Sequence, residues 1–97
     1  MEREFQALVV LLDARLSEGD RDTVVDYIDH NEMGVAFDHL LYALFDEPEQ
    51  PVPLSPSEAD SILRLGKAME YDANSDIVYK IFLSTYFPEE VARVEET

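Results

Sequence analysis

Apolar residues recur along this chain at intervals of three and four, and no useful stretch alternates with a period of two. Phe5, Leu8, Val9, Leu12 and Leu16 form the first stripe, with Asp13 and Arg15 lying off it. Residues three and four apart share one face of an α-helix, so the spacing predicts a helix over 2–16. Ser17-Glu18-Gly19 ends it, and Asp20 can cap a second helix over 21–30. On that second helix Val24, Val25 and Ile28 cluster on one side, and Asp22, Asp26 and Asp29 lie on the other. Asn31 breaks the chain before a third helix over 33–45. Phe37, Leu40, Leu41, Leu44 and Phe45 make its buried stripe, and His39, Tyr42 and Asp46 share the opposite face. Gly34 and Ala36 are small residues near its start and predict a close neighbour there.

Residues 46–55 read as a stiff loop, because Pro48, Pro51 and Pro53 cannot sit inside a helix. The next start signal is the sharpest in the chain. Ser55 at the N-cap, Pro56 at the first helical position and Glu58 at the third make a capping box for a helix over 56–70. Ala59, Ile62, Leu63, Gly66 and Met69 form its inward face. Asp72-Ala73-Asn74-Ser75 is a turn, followed by a helix over 76–86. Ile77, Val78, Ile81 and Phe82 are its expected core residues, with Tyr79 and Tyr86 on one edge covering the core. Pro88 ends that helix, Pro88-Glu89-Glu90 can start another short turn, and 94–97 fray. With no strand pattern and no repeat at solenoid spacing, the expected fold is all-α. It is one domain over 1–97, a compact bundle of four to five short helices with no sheet.

Composition narrows the class. Ninety-seven residues allow one domain, and at 46% apolar the chain is globular even with 30% charged residues. A domain of this size buries roughly two-thirds of its unfolded surface, which supports one modest core and no deep active site. No cysteine is present, so disulfides, zinc-thiolate sites and thiol nucleophiles are excluded. That absence and the acidic start Met1-Glu2-Arg3-Glu4-Phe5 predict a cytoplasmic protein. The longest apolar run, Ala7 to Leu12, is too short to span a membrane.

Tests for chemistry fail one by one. Three glycines, at 19, 34 and 66, cannot make a phosphate-cradling loop. Asp72, Asn74 and Asp76 match the first ligands of a calcium loop, but Ile77 stands where glycine is needed and Leu83 where glutamate is. A capping turn explains that segment. His30 falls at the C-terminal end of the second helix, where the dipole favours a cation, and His39 has no nucleophile at a recognisable spacing. The expectation is a non-enzyme with no cofactor and no metal.

Charge is the most informative property. Twenty-two acids against seven lysines and arginines give −15 and a pI near 4.1. Phosphate contacts need Lys and Arg, so nucleic acid and anionic membrane are excluded as partners and a basic protein is indicated. The alternative is an acidic surface serving solubility alone. The distribution bears on the choice. Residues 1–16 carry net −1, residues 17–50 carry −9 with Arg21 as their one Lys or Arg, and residues 51–97 carry −5. Concentration in one third of the chain favours a directed field. The candidate partner-binding residues are Asp22, Asp26, Asp29, Glu32, Tyr42, Asp46 and Glu47. Tyr42 is either an interface anchor or a half-buried residue packing under the proline loop.

One stretch resembles a known family. Glu32-x-Gly34-x-Ala36, Leu40 and Leu44, an acidic proline-containing loop, then Pro53-Leu54-Ser55, Glu58, Ile62 and Leu65-Gly66 resemble the MafI-type immunity proteins of bacterial polymorphic-toxin systems. The likeness covers about two-fifths of the chain, from Glu32 to Met69. It implies an antidote that binds a cognate toxin domain, many of which are nucleases with basic clefts, and blocks it at the active site or beside it. The runner-up is a different acidic interaction module, or a nucleic-acid mimic acting on another basic protein. Oligomeric state is open at this stage.

Overall fold

The computed structural model describes residues 2–45 and 53–95, with side chains to residue 92. Six α-helices and one 3-10 turn account for about four-fifths of the described residues, and no strand is found among them. The expected four to five helices become six because Pro88, with its φ already helical, starts a full helix where a single turn was expected. The proline loop falls mostly outside the described residues, as do Asp46 and Glu47.

Helix α1 (Glu2–Leu11) turns Phe5, Leu8 and Val9 inward, and Leu12 follows them into the core. It stops five residues short of the expected end. Asp13–Arg15 instead make a 3-10 turn, and Leu16 leaves it extended. The cause is tertiary. Arg15 reaches Glu58, with Nε and Nη2 each 3.4 Å from a carboxylate oxygen, and Asp13 takes Arg21 at 2.6 Å. A continued helix would have to aim both side chains elsewhere.

Helix α2 (Glu18–Asp29) begins three residues before the expected start. Ser17 is the N-cap, accepting from the Asp20 N–H at 3.1 Å, so Asp20 sits inside the first turn. Asn31 adopts φ 60° and closes α2 with a left-handed cap. Glu32 N–H donates to Tyr27 C=O at 2.9 Å and Asn31 N–H to Ile28 C=O at 3.0 Å. That tight reversal lays α3 (Met33–Phe45) back against α2, and α3 has the expected bounds.

Helix α4 (Pro56–Ala68) carries the full capping box. Glu58 N–H donates to Ser55 Oγ at 3.2 Å, and Ser55 N–H donates to Glu58 Oε1 at 2.7 Å. The helix ends two residues early through a second left-handed cap, with Glu70 at φ 63° and Tyr71 N–H donating to Gly66 C=O at 2.8 Å. In the 72–75 turn, Asp72 Oδ1 accepts from Asn74 N–H at 2.7 Å, and Asp76 then caps α5 (Ile77–Tyr86). Helix α6 (Pro88–Glu95) completes the described chain.

Backbone packing runs α4–α1–α2–α3–α5–α6, with α3 central and a radius of gyration of 12.7 Å. Compact domains of about this length have a radius of gyration near 13 Å. The core follows a line of aromatic rings. Phe5 meets Phe37 edge-on at 6.1 Å, Phe37 meets Tyr71 at 5.0 Å and Tyr79 at 5.8 Å, and Tyr79 stacks on Phe82. Two core expectations change. Ile77 is 76% exposed, while Tyr79 and Leu83 are buried. The buried stripe of α5 is thus rotated by about one position, because Tyr79 fits against Gly66 of α4. On α4, Glu58 and Leu65 join the buried residues, and Leu63 and Met69 are half-buried at the edge of the core. No helix among the described residues is long and apolar enough to cross a membrane.

Candidate partner-binding face

The amphipathic pattern of α2 puts Val24 and Ile28 in the core and leaves Asp22, Asp26 and Asp29 exposed. Asp22 and Asp26 keep about 70% of their side-chain surface in solvent. Glu32 is exposed in the reversal between α2 and α3. Arg21, the one Lys or Arg in 17–50, is held by Asp13 at 2.6 Å with Asp22 at 3.8 Å, and these contacts raise its pKa. His30 caps the end of α2, its Nδ1 at 2.8 Å from the Asp26 carbonyl oxygen. That hydrogen bond and the nearby Asp26 carboxylate raise the His30 pKa. The remaining carboxylates of this surface therefore face solvent without a Lys or Arg beside them among the described residues.

Tyr42 is 58% exposed on the outer face of α3, and Val35, two turns earlier on the same face, is 46% exposed. Both line an open hollow of about 430 Å³ between α2 and α3. Asp20 and Tyr27 of α2 and Asp38, His39 and Ala43 of α3 complete its wall. His39 departs from expectation. The helical wheel turns it outward, but α2 covers it, and it is half-buried. Its ring lies 6.5 Å from that of Tyr27, and its Nε2 is 3.1 Å from Asp20 Oδ1. Asp38 is held from the other side. Tyr71 Oη donates to Asp38 Oδ1 at 2.9 Å. Burial pushes the Asp38 carboxyl up against the opposing effect of that hydrogen bond. Burial, with Asp38 beside it, pushes the Tyr71 hydroxyl up to about 12.

Of the residues named from the sequence, Tyr42 alone lines the hollow. Asp22, Asp26, Asp29 and Glu32 stand exposed outside it. Asp46 and Glu47 lie outside the described residues. Sequence reasoning missed Asp20, Tyr27, Val35, Asp38 and His39 as one constellation. A signal was present on each helix, since Asp20 and Tyr27 are seven residues apart, as are Val35 and Tyr42. What the sequence lacked was the angle at which α2 and α3 meet.

The arrangement offers carboxylates and aromatic faces to a cation. It holds no nucleophile paired with a base. Among the described residues no three His, Asp or Glu side chains converge as a metal site. No protein-family model, curated protein or solved structure matches this chain.

Proposed function

We propose that this chain is an immunity-type inhibitor that binds a basic bacterial toxin domain through the α2–α3 face. The observation that carries the reading is an exposed run of carboxylates on α2 whose one Lys or Arg neighbour is already held by Asp13. Such a surface raises the local concentration of a positive partner and speeds encounter by about 10 to 1,000-fold at low salt. An exposed tyrosine beside it supplies the apolar contact area that a field alone does not. A nuclease cleft shaped for phosphates is the kind of surface this face complements, and the likeness at Glu32–Met69 points the same way. The mechanism is occlusion. The inhibitor's carboxylates stand where substrate phosphates would lie, or cover the approach to that cleft.

The test is a search for a large secreted protein encoded next to this chain, followed by co-expression with that protein's C-terminal domain. Restored growth and a stable co-purified complex are expected. Reversing the acidic face with Asp22→Lys, Asp26→Lys and Asp29→Lys should weaken the complex at least tenfold while leaving helicity intact. A pull-down from the native cell that recovers a transcription regulator and no toxin domain overturns the antidote reading.

A further inference from the structure

Hollows on the described surface differ in charge. The one between α1 and α4 holds both Glu4 and Arg64 on its rim. The one beside α6 holds Lys67 and Glu90, which pair with each other at 3.0 Å. The hollow between α2 and α3 is lined by two carboxylates, three aromatic rings and no Lys or Arg. A cation entering it meets two carboxylates and no Lys or Arg in the wall.

We propose that this hollow receives one arginine side chain projecting from the basic partner. Tyr27 and His39 form a tilted ring pair at 6.5 Å, and Tyr42 lines the same space with more than half its surface free. A planar guanidinium stacks on such faces and is more weakly hydrated than an ammonium, so it enters at lower desolvation cost. Asp20 and Asp38 supply the counter-charge. Among the described residues Asp38 engages only its Oδ1, through Tyr71, leaving Oδ2 to accept from a guanidinium N–H. Asp20 is oriented by Ser17 and His39, one on each oxygen, and each oxygen keeps a lone pair. Burial already disfavours the ionised form of Asp38, and a cation beside it restores that form. Val35 lines the hollow beside Tyr42 and offers an apolar contact for the arginine stem.

This inference rests on the reading of the chain as a binder of a basic protein, but its test needs no toxin. The probe is a short peptide of alternating lysine and serine with arginine at its centre, titrated into the whole labelled chain by NMR. Peptides with lysine or citrulline at the centre are the comparison. The arginine peptide is expected to shift the Tyr27, His39 and Tyr42 resonances saturably and to bind more tightly than either. Tyr42→Ala should lower its affinity about fivefold, and Tyr42→Phe should keep it. Tyr42 is exposed, so neither change threatens the fold. Absence of saturable shifts at these three residues overturns the proposal. So does a Tyr42→Ala variant that binds the arginine peptide as the parent does. A positive peptide result with no toxin rescue would retain the arginine receptor and reject the antidote. Toxin rescue with no response in the hollow would do the reverse.

Discussion

Gly66→Ala separates a local rule from a tertiary one, because the two give opposite signs. In a helix interior, glycine to alanine normally stabilises by about 1 kcal/mol, through lost unfolded-state entropy and better propensity. Gly66 sits in α4 facing Tyr79, whose ring is buried in the centre of the aromatic core. A Cβ there would stand 2.8 Å from Tyr79 Cζ and 3.0 Å from Cε1, with the hydroxyl oxygen closer still. Carbon atoms rest at about 3.5–4.0 Å, so the ring must retreat by roughly 0.5–1 Å. It has little room to do so, being held between Phe37 at 5.8 Å, Tyr71 at 5.6 Å and Phe82 at 5.7 Å. Overpacking of this kind costs about 1–3 kcal/mol, which exceeds the propensity gain. With the ring so confined the upper part of that range applies, and the net expectation is a loss of about 1–2 kcal/mol, or about 4–16 °C in Tm for a domain of this size. Urea unfolding followed by far-UV circular dichroism measures it. Tyr79→Phe deletes the closest atom, so the double variant should lose less than the two single losses together, by at least about 0.5 kcal/mol. A Gly66→Ala chain as stable as the parent or more so, or strict additivity with Tyr79→Phe, refutes the wedge.

Other outcomes follow from the caps and charges. Glu70 occupies a left-handed cap at φ 63°, so Glu70→Gly should stabilise by about 1 kcal/mol and Glu70→Gln, which keeps the strain, by clearly less; equal gains would assign the effect to charge. The Ser55 N–H, with Arg15 behind it, holds the Glu58 carboxyl below the usual carboxylate range despite burial. A depressed folded-state pKa adds stability above the unfolded value near 4.3 and loses it as pH falls further. Glu58→Gln, which keeps the capping box, should therefore cost about 0.5–1 kcal/mol near pH 7 and nearly nothing near pH 3. A cost independent of pH in urea titrations would remove the ion pair with Arg15 from the account. Association with the partner should slow markedly between low and physiological salt in stopped-flow measurements, and a flat salt response would take steering out of the mechanism. Asp29→Asn at the C-terminal end of α2 should raise Tm slightly while weakening the complex, and a lowered Tm would contradict the dipole reasoning.

What the sequence could reveal about this molecule divides by range. The capping box at Ser55 and Glu58, the bounds of α3 and the turn at 72–75 were legible because each rests on neighbours within four residues. The all-α class followed from the same short periods. The end of α1 was not legible, since it depends on Arg15 finding Glu58 forty-three positions away. The buried face of α5 was misjudged by one position for a similar reason: Tyr79 fits where Gly66 lacks a side chain. The start of α2 was missed locally, because Asp20 and Ser17 are both good caps and only the structure shows which accepts the N–H. At the candidate site, the exposure of Asp22, Asp26 and Asp29 was readable from the helical wheel. The hollow was not, because its lining is shared between two helices, Asp20 and Tyr27 on α2 and the rest on α3.

The placement of the acids on α2 bears on why they are there. A helix N-terminus favours carboxylates and a C-terminus disfavours them. Glu18 and Asp20 occupy the favourable end, and Asp26 and Asp29 lie in the last turn, with no basic residue beside them in that turn. A surface selected for solubility alone could carry the same charge at no such cost, since any exposed position serves equally well. Asp26 and Asp29 are instead kept at positions where the helix opposes them, with the single imidazole of His30 beside them as an offset. Local destabilisation retained on an exposed face is the pattern expected where binding competes with stability. Those two carboxylates, at the end of α2 that turns into α3, border the same helix pair that holds Tyr42 and the hollow. The charge and the aromatic recess thus border each other on one helix pair, and under the proposed function the first would draw a basic partner in and the second would receive its side chain.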